Sequence, residues 1–220
     1  IPVGLIPAGS GNGLAGALGL PRDPAAALDV ALGTRQRTID AGAMAGRAFF
    51  NIAGVGFDAR VAALFNQRAP GTRGGWPYIV IGVREGCRYC AVDYNVWLDD
   101  APLMSRALLI AFANGREYGL GARIAPSAEL DDGLLDAVIV EERGLLSRFW
   151  DARHLAKGTP HLAPKVTMRK VRRAVIESPG PMEFHVDGEP GVASDRIVVE
   201  VIPGAVLIRV PQGCGVRDGG

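Results

Sequence analysis

The sequence predicts an α+β chain in which a remnant of an N-terminal α/β domain, residues 1–37, leads into a mostly β second domain, residues 38–205. Three observations predict it. A short apolar run at the front empties into a glycine-rich loop followed by helical stretches. From about Arg37 the chain becomes a series of short β-like segments. Turn residues such as Asp99-Asp100, Asp131-Asp132-Gly133 and Asp187-Gly188 punctuate that series, as hairpins of an antiparallel sheet require. Residues 206–220 are expected to return toward the first domain and to end in a loose, glycine-rich tail.

Taken in order, Val3 to Ile6 reads as a buried strand and Pro7-Ala8-Gly9-Ser10-Gly11-Asn12-Gly13 as the tight loop it feeds. Leu14 to Leu18 is a short helix. Pro21-Arg22-Asp23-Pro24 breaks the chain, and Ala25 to Leu32, rich in alanine and leucine, resumes as a helix closed by Gly33. The expected strands are Thr38–Ala43, Ala48–Ala53, Ala91–Leu98, Ala107–Asn114, Leu134–Val140, Lys165–Glu177 and Arg196–Val201. Helices interrupt them at Phe57–Phe65 and at Leu145–Leu155, where Leu145, Phe149 and Ala152 share a face.

Composition narrows the function classes. Hydrophobic residues make up 48% of the 220 and charged residues 21%, the balance of a folded globular protein. The longest apolar runs, Ala107–Ala113 and Leu134–Val140, fall far short of the roughly 18 to 20 residues of a membrane-spanning helix. A formal net charge of +1 gives no global attraction to nucleic acid, so no nucleic-acid partner is expected and any anion must be met by a local patch. Cys87, Cys90 and Cys214 are odd in number and outline no disulfide framework, which favours a reducing cytoplasm. Cys87 and Cys90 have CxxC spacing without a second pair and with His154, His161 and His185 far off, so they are read as packing residues. The chain opens at Ile1 without the layout of a signal peptide and reads as cut within a strand.

Three segments carry groups suited to chemistry. In the loop Gly9-Ser10-Gly11-Asn12-Gly13, glycines allow backbone N–H groups to turn toward an anion, and Ser10 or Asn12 can bond a phosphate oxygen; the same residues also suit a tight turn with a capped helix. It is neither a dinucleotide fingerprint, since Leu14 stands at the third glycine position, nor a Walker loop. Phe184-His185-Val186-Asp187-Gly188-Glu189 ends a strand on a turn with two carboxylates, which can accept a proton or help position a metal, or can be an ordinary Asp-Gly hairpin. Ala128 to Leu135 is another acidic turn, suited by carbonyls and one carboxylate to Mg²⁺, or to a hairpin. Lys165, Arg169, Lys170, Arg172 and Arg173 form a basic strand, either a solvated face or a surface for anionic lipid headgroups.

In this order, four stretches resemble the diacylglycerol kinase catalytic family, which includes sphingosine kinases and bacterial lipid kinases. They are Ile6 to Ala15, Asn51 to Ala59, Ala125 to Leu135, and Val186 to Glu189. The resemblance implies an N-terminal α/β domain like that of NAD kinases, a second domain built as a β-sandwich, and ATP phosphates in the cleft between them. It implies that Ser10 faces the phosphates, with Gly9, Gly11 and Asn12 shaping the loop. Glu189 falls where the family carries the carboxylate that accepts the lipid hydroxyl's proton, with Asp187 beside it. Asp132, with the carbonyls of Glu129 and Leu134, matches a structural Mg²⁺ site.

The implied activity is transfer of the γ-phosphate from ATP, with Mg²⁺, to a lipid alcohol such as diacylglycerol or a sphingoid base, as in phospholipid biosynthesis. The enzyme is expected in the cytoplasm, peripherally attached to the membrane that supplies its substrate, and a homodimer is compatible with the resemblance. The family's Gly-Gly-Asp-Gly-Thr nucleotide loop is expected upstream of Ile1, and many bacterial relatives carry Asp at the position of Gly13. Two rival readings are a non-catalytic lipid- or nucleotide-binding remnant and a soluble nucleotide kinase such as an NAD kinase.

Overall fold

Hydrogen bonds in the β-rich part join eleven strands among the described residues into one continuous antiparallel system. The structure is a computed structural model describing residues 1–9, 11–67, 81–82, 84–86, 88–119, 122–142, 144, 153–154 and 157–212. The sheet elements are β1 (Gln36–Met44), β2 (Arg47–Phe49), β3 (Ile52–Gly56), β4 (Val92–Leu98) and β5 (Ala101–Ala113), then β6 (Glu117–Gly119) and β7 (Ala122–Arg123). They continue with β8 (Leu135–Glu141), β9 (Val166–Val171), β10 (Arg173–Glu177), β11 (Met182–Val186), β12 (Glu189–Ala193) and β13 (Arg196–Arg209). The helices are α1 (Gly13–Ala17), α2 (Pro24–Leu32) and α3 (Phe57–Asn66).

The strand order β12-β11-β3-β5-β4-β10-β13-β1-β2 is split into two layers by β5. Its first half pairs with β4 from Ala101 to Ala107. Its second half, beyond a bulge between Ala107 and Leu109, pairs with β3 and with β8 instead. The strand thus leaves one sheet and enters the other, and β9 extends the second sheet beyond β8.

Between the layers lies one core. Tyr94, Val96 and Leu98 on β4, Leu135, Ala137 and Ile139 on β8, and Met182, Phe184 and Val186 on β11 enter it at every second position. The outer faces of β3, β5 and β8 are buried as well, under Ile124, Ala125 and Ala128. Burial on both faces explains why Ala107–Ala113 and Leu134–Val140 are continuous apolar runs without alternation.

The front of the chain joins this sandwich through a third cluster, in which Ala15, Leu18 and Leu20 pack with Ile39, Leu130, Ile208 and Val210. Helix α2 begins where Asp23 caps the Ala26 N–H at 2.9 Å and Pro24 presets the first turn. The expected buried strand Val3–Ile6 is a single parallel bridge from Val3 to Ile208, and Val3 and Ile6 are exposed. Among the described residues, the bonds of Val3 to Leu207 and Arg209 pair the segment on one side only.

Two expected strands are divided. Ala48–Ala53 is broken at Phe50 and Asn51, whose N–H groups bond Asp187 instead of a ladder. Lys165–Glu177 is broken at Arg172, where the N–H groups of Arg172 and Arg173 both bond Asp99, and its halves serve different sheets. The expected helix Leu145–Leu155 lies almost wholly outside the described residues.

Candidate active site

The carboxylate expected to act as a base sits at the first residue of β12, just past a two-residue hairpin. Val186 pairs with Glu189, and the turn residues Asp187 and Gly188 have φ of 49° and 87°. Both positions need left-handed backbone, which is why Asp-Gly occupies them. The Asp187 carboxylate folds back to accept the N–H groups of Phe50 at 2.7 Å, Asn51 at 3.0 Å and Ile52 at 2.9 Å, while its own N–H donates to the Ile52 carbonyl. Asp187 is therefore occupied in holding the turn. Glu189 beside it is exposed, and no hydrogen bond or ion pair among the described residues engages its carboxylate.

Behind the turn is a buried polar cluster to which the sequence reading assigned no role. Asp58, in the first turn of α3, accepts from Tyr118 Oη at 2.9 Å and stands 3.2 Å from His185 Nε2. The Gly188 N–H meets His185 Nδ1 at 3.3 Å, and the Gly188 carbonyl accepts from Asn66 Nδ2 at 2.7 Å. Gly54, directly across from His185 in the ladder, leaves the room that Asp58 fills: a Cβ there would collide with Asp58 Oδ2.

In the loop before α1, the Asn12 side chain accepts the Gly9 N–H at 2.9 Å and donates to the Gly9 carbonyl at 2.7 Å, with Asn12 itself left-handed at φ 52°. The amide therefore shapes the loop through both its oxygen and one of its N–H groups. Gly11 is exposed, and Ser10 lies outside the described residues.

Helix α1 rests on the sandwich through Asn51. A Cβ on Gly13 would collide with Asn51 Nδ2 and come within 2.6 Å of the Glu117 carbonyl, while Asn51 Nδ2 itself donates to that carbonyl at 3.1 Å. Asn51 thus touches the end of the loop with its side chain and the Asp187 turn with its backbone. This close approach explains glycine at position 13 of this chain.

The acidic turn before β8 is differently occupied from what was expected. Asp132 Oδ2 lies 2.6 Å from Lys170 Nζ, Asp132 Oδ1 accepts the Leu134 N–H, and Lys170 reaches Asp136 at 3.1 Å. Partial burial alone would lower the Lys170 pKa, but the hydrogen bonds and charges of Asp132 and Asp136 outweigh it, so the value stands above the ordinary 10.5. The positive charge at Asp132 is an ammonium on β9, so a Mg²⁺ ion at Glu129, Asp132 and Leu134 would share the Asp132 carboxylate with Lys170 and with the Leu134 N–H. Among the described residues no group of three or more His, Cys, Asp or Glu is arranged to hold a metal. The turn is also no hairpin, because β8 pairs with β5 and β9. It is fixed by Asp40, whose buried carboxylate accepts the Gly133 and Gly204 N–H groups, each at 2.7 Å.

Of the basic strand, Lys165 and Arg173 are paired with Glu141 and Glu200, and Arg169, Arg172 and Arg173 are all exposed. Cys90 is exposed rather than packed, and Cys87 and Cys214 lie outside the described residues. An open groove lined by Asp93, Arg106, Glu177 and Arg196 contains none of the expected site residues.

Residues 51–210 match the family described as the YegS C-terminal NAD kinase beta sandwich-like domain. The chain belongs to the YegS-like lipid kinases of the diacylglycerol kinase family. Residues 1–44 match the diacylglycerol kinase catalytic domain, so the two halves of the YegS-like arrangement meet close to where β1 ends. A probable lipid kinase YegS-like from Chromohalobacter salexigens is 30% identical, over 96% of this chain and 68% of its own length. Another from Pseudomonas aeruginosa is 29% identical, over 95% and 68%. The crystal structure of a putative diacylglycerol kinase from Bacillus anthracis superposes with a TM-score of 0.76 at 19% identity, covering 96% of this chain and 68% of that one. The chain thus spans about two thirds of the length of these YegS-like relatives, and the sandwich and its α+β class are those of the family.

Asp40, Asn51, Asp58 and His185 are the site residues that the sequence reading left without roles. One signal was available: Asp58 follows a strand ending in Gly56, at the start of an apolar helix, where a carboxylate is favoured by unpaired N–H groups.

Proposed function

We propose that the protein transfers the γ-phosphate of MgATP to the hydroxyl of a lipid alcohol such as diacylglycerol or a sphingoid base, with Glu189 as the base. The observation that supports this reading is the exposed Glu189 carboxylate, engaged by none of the described residues, at the end of a hairpin that Asp187 holds by three backbone bonds, in a chain of the lipid kinase family. The lipid oxygen forms a bond to the γ-phosphorus, the bond to the bridging oxygen of ADP breaks, and the hydroxyl proton passes to Glu189. Catalysis of this kind is mostly positioning, so a base carried at the end of a firmly held turn suits it.

The Gly9–Gly13 loop, which meets the same Asn51, is the place we assign to the ATP phosphates, with Ser10, Gly11 and exposed backbone N–H groups as donors. No helix among the described residues is long and apolar enough to cross a membrane. We assign the enzyme to the cytoplasm and to the membrane surface, where its substrate lies.

The test is acceptor identity. Full-length protein incubated with γ-labelled ATP, Mg²⁺ and either a lipid extract or NAD should label the lipid fraction alone. Label on NAD, or nucleotide binding without transfer to either acceptor, would overturn the assignment.

A further inference from the structure

The alternation of β11 places Phe184 and Val186 in the core and turns His185 to the opposite face, toward α3. There the imidazole is almost fully enclosed, its side chain 5% exposed and that of Asp58 6%. Its two nitrogens face different partners. The Gly188 N–H can only donate, so Nδ1 must carry the lone pair. The ring proton then sits on Nε2 and donates to Asp58 Oδ2, which Tyr118 Oη also bonds. The remaining Asp58 oxygen is fixed by the Ala59 N–H of its own helix. A chain of directed bonds therefore runs from the first turn of α3, through His185, to the second residue of the hairpin whose next residue is Glu189.

We propose that Asp58 and His185 are positioning residues that set the orientation of the Asp187–Gly188 turn, and through it the place of the Glu189 carboxylate. The catalytic part of this rests on the lipid kinase reading above; the contact to Gly188 does not. Asp187 ties the turn to β3 from one side, and His185 with Asn66 ties it to α3 from the other. With the Gly188 N–H released, the hairpin keeps its pairing to β3 and the Asn66 bond to the Gly188 carbonyl but loses the bond that fixes the Asp187–Gly188 peptide, one residue before Glu189. Displacements of this order matter, since misplacing a reacting group by an ångström lowers turnover by about a hundredfold.

The experiment compares wild type with His185→Phe, which keeps the ring and removes both nitrogens, and with His185→Asn, whose amide oxygen can still accept the Gly188 N–H. Amide exchange at Gly188, read without substrate, should quicken about tenfold in His185→Phe and return to within about threefold of wild type in His185→Asn. In the full-length protein kcat should fall by about tenfold in His185→Phe at an unchanged KM for ATP and recover in His185→Asn. Independently of any variant, the wild-type ring should carry its proton on Nε2 and none on Nδ1 in a long-range proton–nitrogen spectrum. A proton on Nδ1, or unchanged Gly188 exchange in His185→Phe, would overturn the proposal. If wild type failed to phosphorylate any lipid, the functional reading would fall, and the Gly188 exchange would still decide whether His185 holds the turn.

Discussion

Replacing Asp187 by glycine removes three hydrogen bonds without straining the backbone, because glycine accepts the φ of 49° that Asp187 adopts. The bonds are those from the N–H groups of Phe50, Asn51 and Ile52. The residue itself is exposed, so water competes for these groups and each bond is worth about 1 kcal/mol rather than the larger value of a buried charged pair. Three such bonds give roughly 3 kcal/mol, to which the extra backbone freedom of glycine adds about 0.5 kcal/mol in the unfolded state.

Asp187→Asn keeps one acceptor oxygen and should cost about half as much. Urea denaturation followed by tryptophan fluorescence reads both, and the glycine variant should melt roughly 7–14 °C lower in a chain of this size. A glycine variant within about 0.5 kcal/mol of wild type, or an asparagine variant less stable than the glycine one, would refute the claim that the carboxylate's bonds anchor the turn.

Other consequences are as direct. Gly13→Ala should destabilise by about 1–3 kcal/mol, since its Cβ would press on Asn51 and on the Glu117 carbonyl, and a thermal melt equal to wild type would refute that packing. Lys170→Met should cost about 1–2 kcal/mol near neutral pH, between the values for exposed and buried pairs, because the nearly buried Asp136 loses its counter-charge. Folding raises the Lys170 pKa, so its stabilisation is fully present below the ordinary value of 10.5 and fades as pH rises through the higher folded value. Melts of wild type and Lys170→Met should therefore converge in strong alkali, and a constant difference up to that range would contradict the sign. Added Mg²⁺ should leave the melting of Lys170-containing protein unchanged in the absence of ATP, where a rise would restore a metal to the Asp132 turn.

Elements whose pattern is set locally were legible in the sequence. Strand β4 alternates, α2 carries its own cap and proline, and the Asp187-Gly188 hairpin follows from two residues that tolerate left-handed backbone. What stayed hidden depends on groups distant in sequence. The breaks at Phe50–Asn51 and at Arg172 look like continuous strand until Asp187 and Asp99 draw the N–H groups away. That Asp132 is engaged by Lys170, on another strand, is equally invisible in the local pattern. Asp58 and His185 escaped a role for the same reason, since their meeting requires α3 to fold back across Gly54. The family resemblance named Glu189, and the structure adds the bonds that hold the turn just before it.

The proton-accepting role of Glu189 is tested most directly by steady-state kinetics of Glu189→Gln in the full-length protein, with MgATP and a phosphorylatable lipid. Loss of the base should lower kcat by about 10²- to 10⁴-fold while ATP affinity stays within about twofold, because the proposed role of the side chain is toward the hydroxyl and not the nucleotide. Turnover equal to wild type would remove Glu189 from the chemistry.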